Sequence, residues 1–143
     1  MELEINYRFF TNESAKIQIQ ELVEKHKWIL PDWLYRLNID AYQSAGDGAD
    51  ALTKSSHEYR VSNIAIADSF FSESKQCQDR AIIHEFIHVR SAEILDFITG
   101  SLIEPVKDRN PELFQFLNER SRVVVESFTE DFAHMVKNIN DKK

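Results

Sequence analysis

Hydrophobic and polar residues alternate near the start of the chain, which predicts a strand over residues 2–9. The segment from Thr11 to Ser14 is rich in residues that cap helices. Apolar residues then recur about every 3.6 positions, which predicts a helix of about 15–17 residues. Pro31 ends this helix, because the residue before a proline is disfavoured in helical conformation.

Two further stretches are typical of strands, with a loop between them. Residues 35–42 alternate between apolar and polar side chains, as a half-buried strand does. Residues 59–68 form a second such stretch, rich in valine, isoleucine and alanine. Residues 43–58 hold two of the three glycines of the chain, so they are predicted to form a loop.

Two long helices complete the predicted fold. The first is capped in the region of Ser72 and Ser74 and runs to Thr99 and Gly100. A linker follows, and the last helix covers about residues 111–138, with Pro111 in its first turn. The chain is therefore predicted to be one α+β domain, residues 1–143, with a small three-stranded sheet, one N-terminal helix and two long helices.

Each residue turns a helix by about 100°. On a wheel drawn with this angle, the last helix has an apolar stripe and an acidic face roughly opposite it. The apolar stripe is Leu113, Leu117, Val124, Phe128, Met135 and Ile139. The acidic face is Glu119, Glu126 and Glu130.

Composition restricts the partners of the chain. A hydrophobic content of 43% and an aromatic content of 11% are typical of a folded globule. The net charge of −7 disfavours binding to nucleic acid or to an anionic membrane. No signal peptide or membrane-spanning run is found, and the lone Cys77 excludes an internal disulfide. These features predict a cytoplasmic protein without a nucleic-acid or membrane partner.

The clearest chemical signal is the string His84-Glu85-Phe86-Ile87-His88 in the first long helix. Residues four apart share a helix face, about 5–6 Å apart at Cβ, so the two imidazoles can bind one zinc ion. The intervening glutamate is then placed to take a proton from a water molecule on the metal. The alternative, a surface helix with two solvated histidines, is disfavoured because apolar residues surround the motif.

A catalytic zinc site usually has three protein ligands. The pattern that continues with a glycine and a third histidine is absent, since Ser91 and Ile94 occupy those positions. Besides His134, the remaining candidates are the glutamates after the motif, namely Glu93, Glu104, Glu119 and Glu126. One turn after Glu126 lies Glu130, a carboxylate of the kind that accepts a hydrogen bond from a ligand histidine.

The motif and the later Glu126-x-x-x-Glu130 resemble a gluzincin metallopeptidase, in particular the minigluzincins and similar small phage and bacterial peptidases. In that family apolar residues stand two and six places after the ligand glutamate, as Phe128 and Phe132 do here. The resemblance covers about residues 34–136. It implies zinc ligands at His84, His88 and Glu126, a general base at Glu85, and a contact from Glu130 to a ligand histidine.

The resemblance also implies an activity, the zinc-dependent hydrolysis of peptide bonds with Zn²⁺ as cofactor. A peptide or protein substrate would bind as an extended strand along residues 59–68, the counterpart of the exposed edge strand of the family. The alternative is a catalytically silent, zinc-stabilised binding or regulatory module, because the chain lacks the extra subdomain that usually walls a peptidase cleft.

Several assignments stay open at this point. Glu119 is the second choice for the third ligand, and an ordinary solvated acidic face is the alternative for Glu126. Asp131 is the alternative to Glu130, and Cys77 is expected to be a small buried thiol. The candidate donors to a developing oxyanion are His134, Tyr59, His57 and Arg122.

Overall fold

The computed structural model describes residues 2–43 and 48–141, which form an α+β fold. The strands are β1 (Glu4–Arg8), β2 (Arg36–Tyr42), β3 (Ala51–Ser56) and β4 (Val61–Ala67). The helices are α1 (Glu13–His26), α2 (Lys75–Phe97) and α3 (Pro111–Asp141). The predicted α+β class, the N-terminal helix and the two long helices are confirmed.

The sheet has the strand order β1-β2-β4-β3, in which β1, β2 and β4 are parallel and β3 is antiparallel to β4. The prediction of three strands was wrong, because β3 lies within residues 43–58, which were predicted to be a loop. Residues 44–47 of that loop lie outside the described residues. Its sequence Ala-Leu-Thr-Lys-Ser-Ser lacks a clear apolar alternation, and backbone pairing with β4 makes it a strand.

The position of β4 corrects a second prediction. Residues 59–68 were expected to supply an exposed edge, but β4 pairs with β2 on one side and with β3 on the other. Its backbone groups are therefore engaged in the sheet. Beside the motif helix, the edge of the sheet is β3.

One face of the sheet is polar and the other is apolar. Asn6, Asn38 and Asn63 stand in register on three neighbouring strands and their side chains are hydrogen-bonded at 3.2 and 2.8 Å. On the same face, Arg8 donates to both carboxylate oxygens of Asp40. Side chains alternate along a strand, so the intervening residues point to the other face, where the core forms.

The helices cover only this apolar face, and their buried residues join those of the sheet in one core. Representative members are Ile19, Val23, Leu37, Ile39, Ile64, Ile66, Ile82, Ile83 and Phe86. Helix α2 contacts α1, α3 and β3. It therefore holds the motif between the edge strand and the last helix.

Helix α3 packs against α2 with Thr129, Ala133 and Val136 buried. Its predicted apolar stripe is largely exposed to solvent instead, with Val124 at 51% and Phe128 at 57% exposure. Among the described residues, no helix is both long enough and apolar enough to cross a membrane.

Candidate metal centre

Helix α2 places the two histidines of the motif one turn apart on the side that faces α3. The Nε2 atoms of His84 and His88 lie 3.0 Å apart, and each side chain is 18% exposed. Ser74 caps the start of α2 by accepting a hydrogen bond from the backbone N–H of Cys77. The buried residues around the motif hold this turn against the core, which fixes the position of both imidazoles.

Helix α3 brings Glu126 to these two nitrogen atoms. Its carboxylate oxygens lie 3.0 Å from His88 Nε2 and 3.4 Å from His84 Nε2. One donor atom from each of the three residues lies within 4.8 Å of the others, the one such cluster of His, Cys, Asp or Glu among the described residues. The two helices thus assemble the three side chains that the sequence singled out as ligands.

The other candidate ligands lie outside this cluster of three residues. Glu119 is exposed and pairs with Arg122 at 2.7 Å, and the hydrogen bonds from Arg122 hold the pKa of this carboxyl below its usual value. Glu93 lies 3.8 Å from His57, and Glu104 lies 3.8 Å from Lys107. His134 is 51% exposed, with its Nε2 atom 3.8 Å from Glu130.

Glu130 contacts the far side of the His84 ring, with its Oε2 atom 2.9 Å from Nδ1. Its other carboxylate oxygen accepts a hydrogen bond from Arg80, one turn before His84 on α2. Burial raises the pKa of Glu130, but the hydrogen bonds from Arg80 and His84 outweigh it and hold the pKa below its ordinary value. A charged Glu130 then favours His84 in the tautomer that carries its proton on Nδ1. Asp131, its alternative, is exposed.

Glu85 is buried at 7% exposure and contacts β3. Its carboxylate accepts a hydrogen bond from the hydroxyl of Thr53, in the middle of the edge strand. Sequence reasoning missed Thr53, because its segment was predicted to be a loop. Arg80 was also missed, although its position one turn before His84 could have suggested a partner for Glu130.

A cavity of about 550 Å³ lies between β3, α2 and α3. The motif residues and Glu126 line it, together with Thr53 and Ser55 from β3 and Glu119 and Arg122 from α3. Residues of β3 border this cavity, whereas β4 lies behind β3 in the sheet. The cleft is therefore shaped like a groove along the edge strand.

The remaining predicted residues lie outside the cluster of His84, His88 and Glu126. Cys77 is exposed, so the expectation of a buried thiol was wrong. Arg122 lines the cavity, while Tyr59 is 73% exposed in the turn between β3 and β4. His57 packs edge-on against Trp33, with 4.9 Å between the ring centroids. Of the candidate oxyanion donors, Arg122 is therefore the one placed in the cleft.

Comparisons with known proteins gave no match to a protein-family model, to a curated protein or to a solved structure. The chemistry of the cleft is therefore inferred from its geometry.

Proposed function

We propose that this protein is a zinc-dependent metallopeptidase whose metal ligands are His84, His88 and Glu126 and whose general base is Glu85. The observation that carries the proposal is the convergence of two imidazole nitrogens and a carboxylate beside a buried glutamate, in one groove along a strand edge. Two nitrogens and one carboxylate form a ligand set of catalytic zinc enzymes.

The geometry of the cluster fits a zinc ion. In a tetrahedral site with bonds of about 2.0–2.1 Å, ligand atoms stand about 3.3 Å apart. The two histidine Nε2 atoms lie 3.0 Å apart, and the two carboxylate oxygens of Glu126 lie 3.0 Å from His88 Nε2 and 3.4 Å from His84 Nε2. With the Nδ1 proton of His84 donated to Glu130, its Nε2 lone pair faces His88 and a carboxylate. Such electron pairs repel one another unless a cation or a proton lies among them.

A zinc ion in this position would lower the pKa of a water molecule that it binds and would polarise a substrate carbonyl. Glu85 supplies the base for this chemistry: its carboxylate takes a proton from the attacking water and delivers it to the departing amine. The Thr53 hydroxyl fixes one carboxylate oxygen of Glu85, so the base is oriented before substrate binds.

The substrate class follows from the edge strand. β3 is the edge strand beside the cleft, so an extended peptide can add to it as a further strand, with its main chain hydrogen-bonded to β3. The strand that binds the peptide is therefore β3 and not residues 59–68, as the sequence suggested. The expected type of recognition, in which the peptide adds to the sheet as a strand, stays the same. The single cysteine excludes an internal disulfide, which supports the reducing cytoplasm as the place of action.

The test is to compare the natural chain with Glu85→Gln in zinc content and in cleavage of a broad peptide library. We expect one zinc ion per chain in both, with cleavage in the variant reduced at least about 100-fold by loss of the base. Glu93→Gln, on the same helix with its side chain 61% exposed, is the matched control and keeps full activity.

Cleavage retained by Glu85→Gln would contradict the assigned base. Stoichiometric zinc without cleavage by the natural chain would contradict the peptidase and favour the alternative, a zinc-stabilised binding module.

A further inference from the structure

The solvent-facing side of α3 carries residues that repeat every 11 positions. They recur at intervals of 4, 3 and 4 residues, a spacing that keeps side chains on one face of a nearly straight helix. We call this surface the α3 strip. It consists of Leu113, Leu117, Arg120, Val124, Phe128, Asp131, Met135 and Ile139.

The apolar residues of the α3 strip lie largely in solvent. Five of them are 41–57% exposed, namely Leu113, Val124, Phe128, Met135 and Ile139. Phe116 and Val123, beside the strip, are 64% and 42% exposed. The strip is about 40 Å long at 1.5 Å per residue, and a cluster of exposed apolar residues marks an interaction site. Helix α2 leaves it uncovered, because α2 packs on the opposite face of α3.

The apolar residues of the α3 strip are placed symmetrically about its midpoint at position 126. In an antiparallel pair of α3 helices centred there, Val124 meets Phe128 of the second copy. Leu117 and Met135 are also equidistant from position 126, as are Leu113 and Ile139, so the members of each pair meet across the two copies. Each apolar residue of the strip thus has an apolar counterpart of the second copy.

The two charged residues of the strip fit the same antiparallel pairing with an offset of one residue, about 1.5 Å along the helix axis. Arg120 precedes the midpoint by six positions and Asp131 follows it by five. In the antiparallel pair, Arg120 of each copy therefore meets Asp131 of the other, which makes two ion pairs. In a parallel pair, by contrast, each charge would face its own like-charged copy, which is unfavourable. The charges therefore select a second copy of this chain in antiparallel orientation.

We propose that the protein forms a two-fold symmetric dimer in which the α3 strips of two copies pack against each other in antiparallel orientation. Two-fold dimers bring the same surface of both copies together, as this self-complementary strip requires. Glu126 and Glu130 point towards α2, away from the strip. The dimer therefore leaves the metal centre accessible, and the proposal is independent of the proposed function.

The first test measures the mass of the full chain by sedimentation equilibrium at concentrations from about 1 µM to about 1 mM, a range that covers typical weak and moderate affinities. The expected result is twice the mass of one chain. Phe128→Glu places two carboxylates in the apolar contact and should weaken the dimer at least about 100-fold. Trp28→Glu, at a position 59% exposed outside α3, is the matched control and should stay dimeric. Circular dichroism verifies that both variants are folded.

The second test determines the orientation with Arg120→Asp, Asp131→Arg and the double variant. Each single reversal creates two repulsive contacts and should weaken the dimer about tenfold or more, while the double variant restores the affinity. A natural chain that stays monomeric, or a dimer insensitive to Phe128→Glu, would overturn the proposal. A double variant no tighter than the singles would overturn the antiparallel arrangement.

Discussion

Glu85 and Glu126 belong to the same cleft, yet their surroundings give them different chemistry. Glu85 is buried, and the Thr53 hydroxyl orients its carboxylate. Glu126 is 49% exposed and faces two imidazole nitrogens. A fixed, buried carboxylate suits proton transfer at one defined position. A carboxylate grouped with two histidine nitrogens suits a metal ion.

The contact between Thr53 and Glu85 leads to a prediction about turnover. Thr53→Val removes a hydrogen bond to a charged group, which is worth about 1.5–3 kcal/mol. If that bond orients the base in the transition state, kcat falls about 10- to 100-fold with little change in KM. The measurement is steady-state cleavage of a peptide found in the library screen.

Thr53→Ser keeps the hydroxyl and is the matched control, so it should retain most of the kcat. Equal losses in the Val and Ser variants would show that the methyl group, rather than the hydroxyl, matters at this position.

The residues of the site differ in how far the sequence reveals them. His84, Glu85 and His88 follow from helical spacing alone. Glu126 needed the family resemblance, because the packing of α3 on α2 cannot be calculated from a helical wheel. Thr53 carried no signal, since its contact with Glu85 spans 32 positions and depends on β3.

At the scale of elements, α1 is joined to α2 by a buried polar contact. His26, at 1% exposure, has its Nε2 atom 2.7 Å from Asp79, which also accepts from Lys25. Burial raises the pKa of Asp79, but the hydrogen bonds from His26 and Lys25 outweigh it and leave the pKa below its ordinary value of 3.8. The ionised form of Asp79 therefore stabilises the docking of the two helices.

This contact gives a stability prediction with a defined pH dependence. Asp79→Asn should lower the free energy of unfolding by about 1–3 kcal/mol, the value of a hydrogen bond to a charged group. Because the folded-state pKa is depressed, the difference between natural and variant chains is fully present above the unfolded-state pKa. It disappears as pH falls through the folded-state value. Thermal melts from about pH 6 down to about pH 2.5 measure this difference.

Asp108→Asn, in the exposed linker before α3, is the control and should leave the melting temperature unchanged. A difference for Asp79→Asn that persisted undiminished at the lowest pH would show that its carboxylate charge is not the source of the stability.

Strands were predictable where their side chains alternate and unpredictable where pairing alone creates them. The alternation of residues 35–42 gives β2, with Leu37 and Ile39 buried and Tyr42 exposed. β3 lacks such a pattern, and its existence depends on β4. The sequence predicts the apolar stripe of α3, but it does not show that this stripe is exposed to solvent. Hydrophobicity alone does not distinguish a side chain in the core from one in an exposed interaction surface.

At the scale of the whole molecule, three separate elements meet to form one groove. β3 supplies an edge, α2 supplies the histidines and the buried glutamate, and α3 supplies Glu126 and Glu130. The three clustered side chains thus come from two helices that are joined by a π-helical segment and a short 3₁₀ helix. A metal ion bound between α2 and α3 would tie these helices together.

The central claim is that this groove holds a zinc ion on His84, His88 and Glu126. The most direct measurement is an anomalous difference map from crystals of the zinc-loaded protein, recorded at the zinc absorption edge. We expect one peak per chain, at about 2.0–2.2 Å from Nε2 of each histidine and from a carboxylate oxygen of Glu126. A map with no peak there, or with zinc bound at other residues, would contradict the claim.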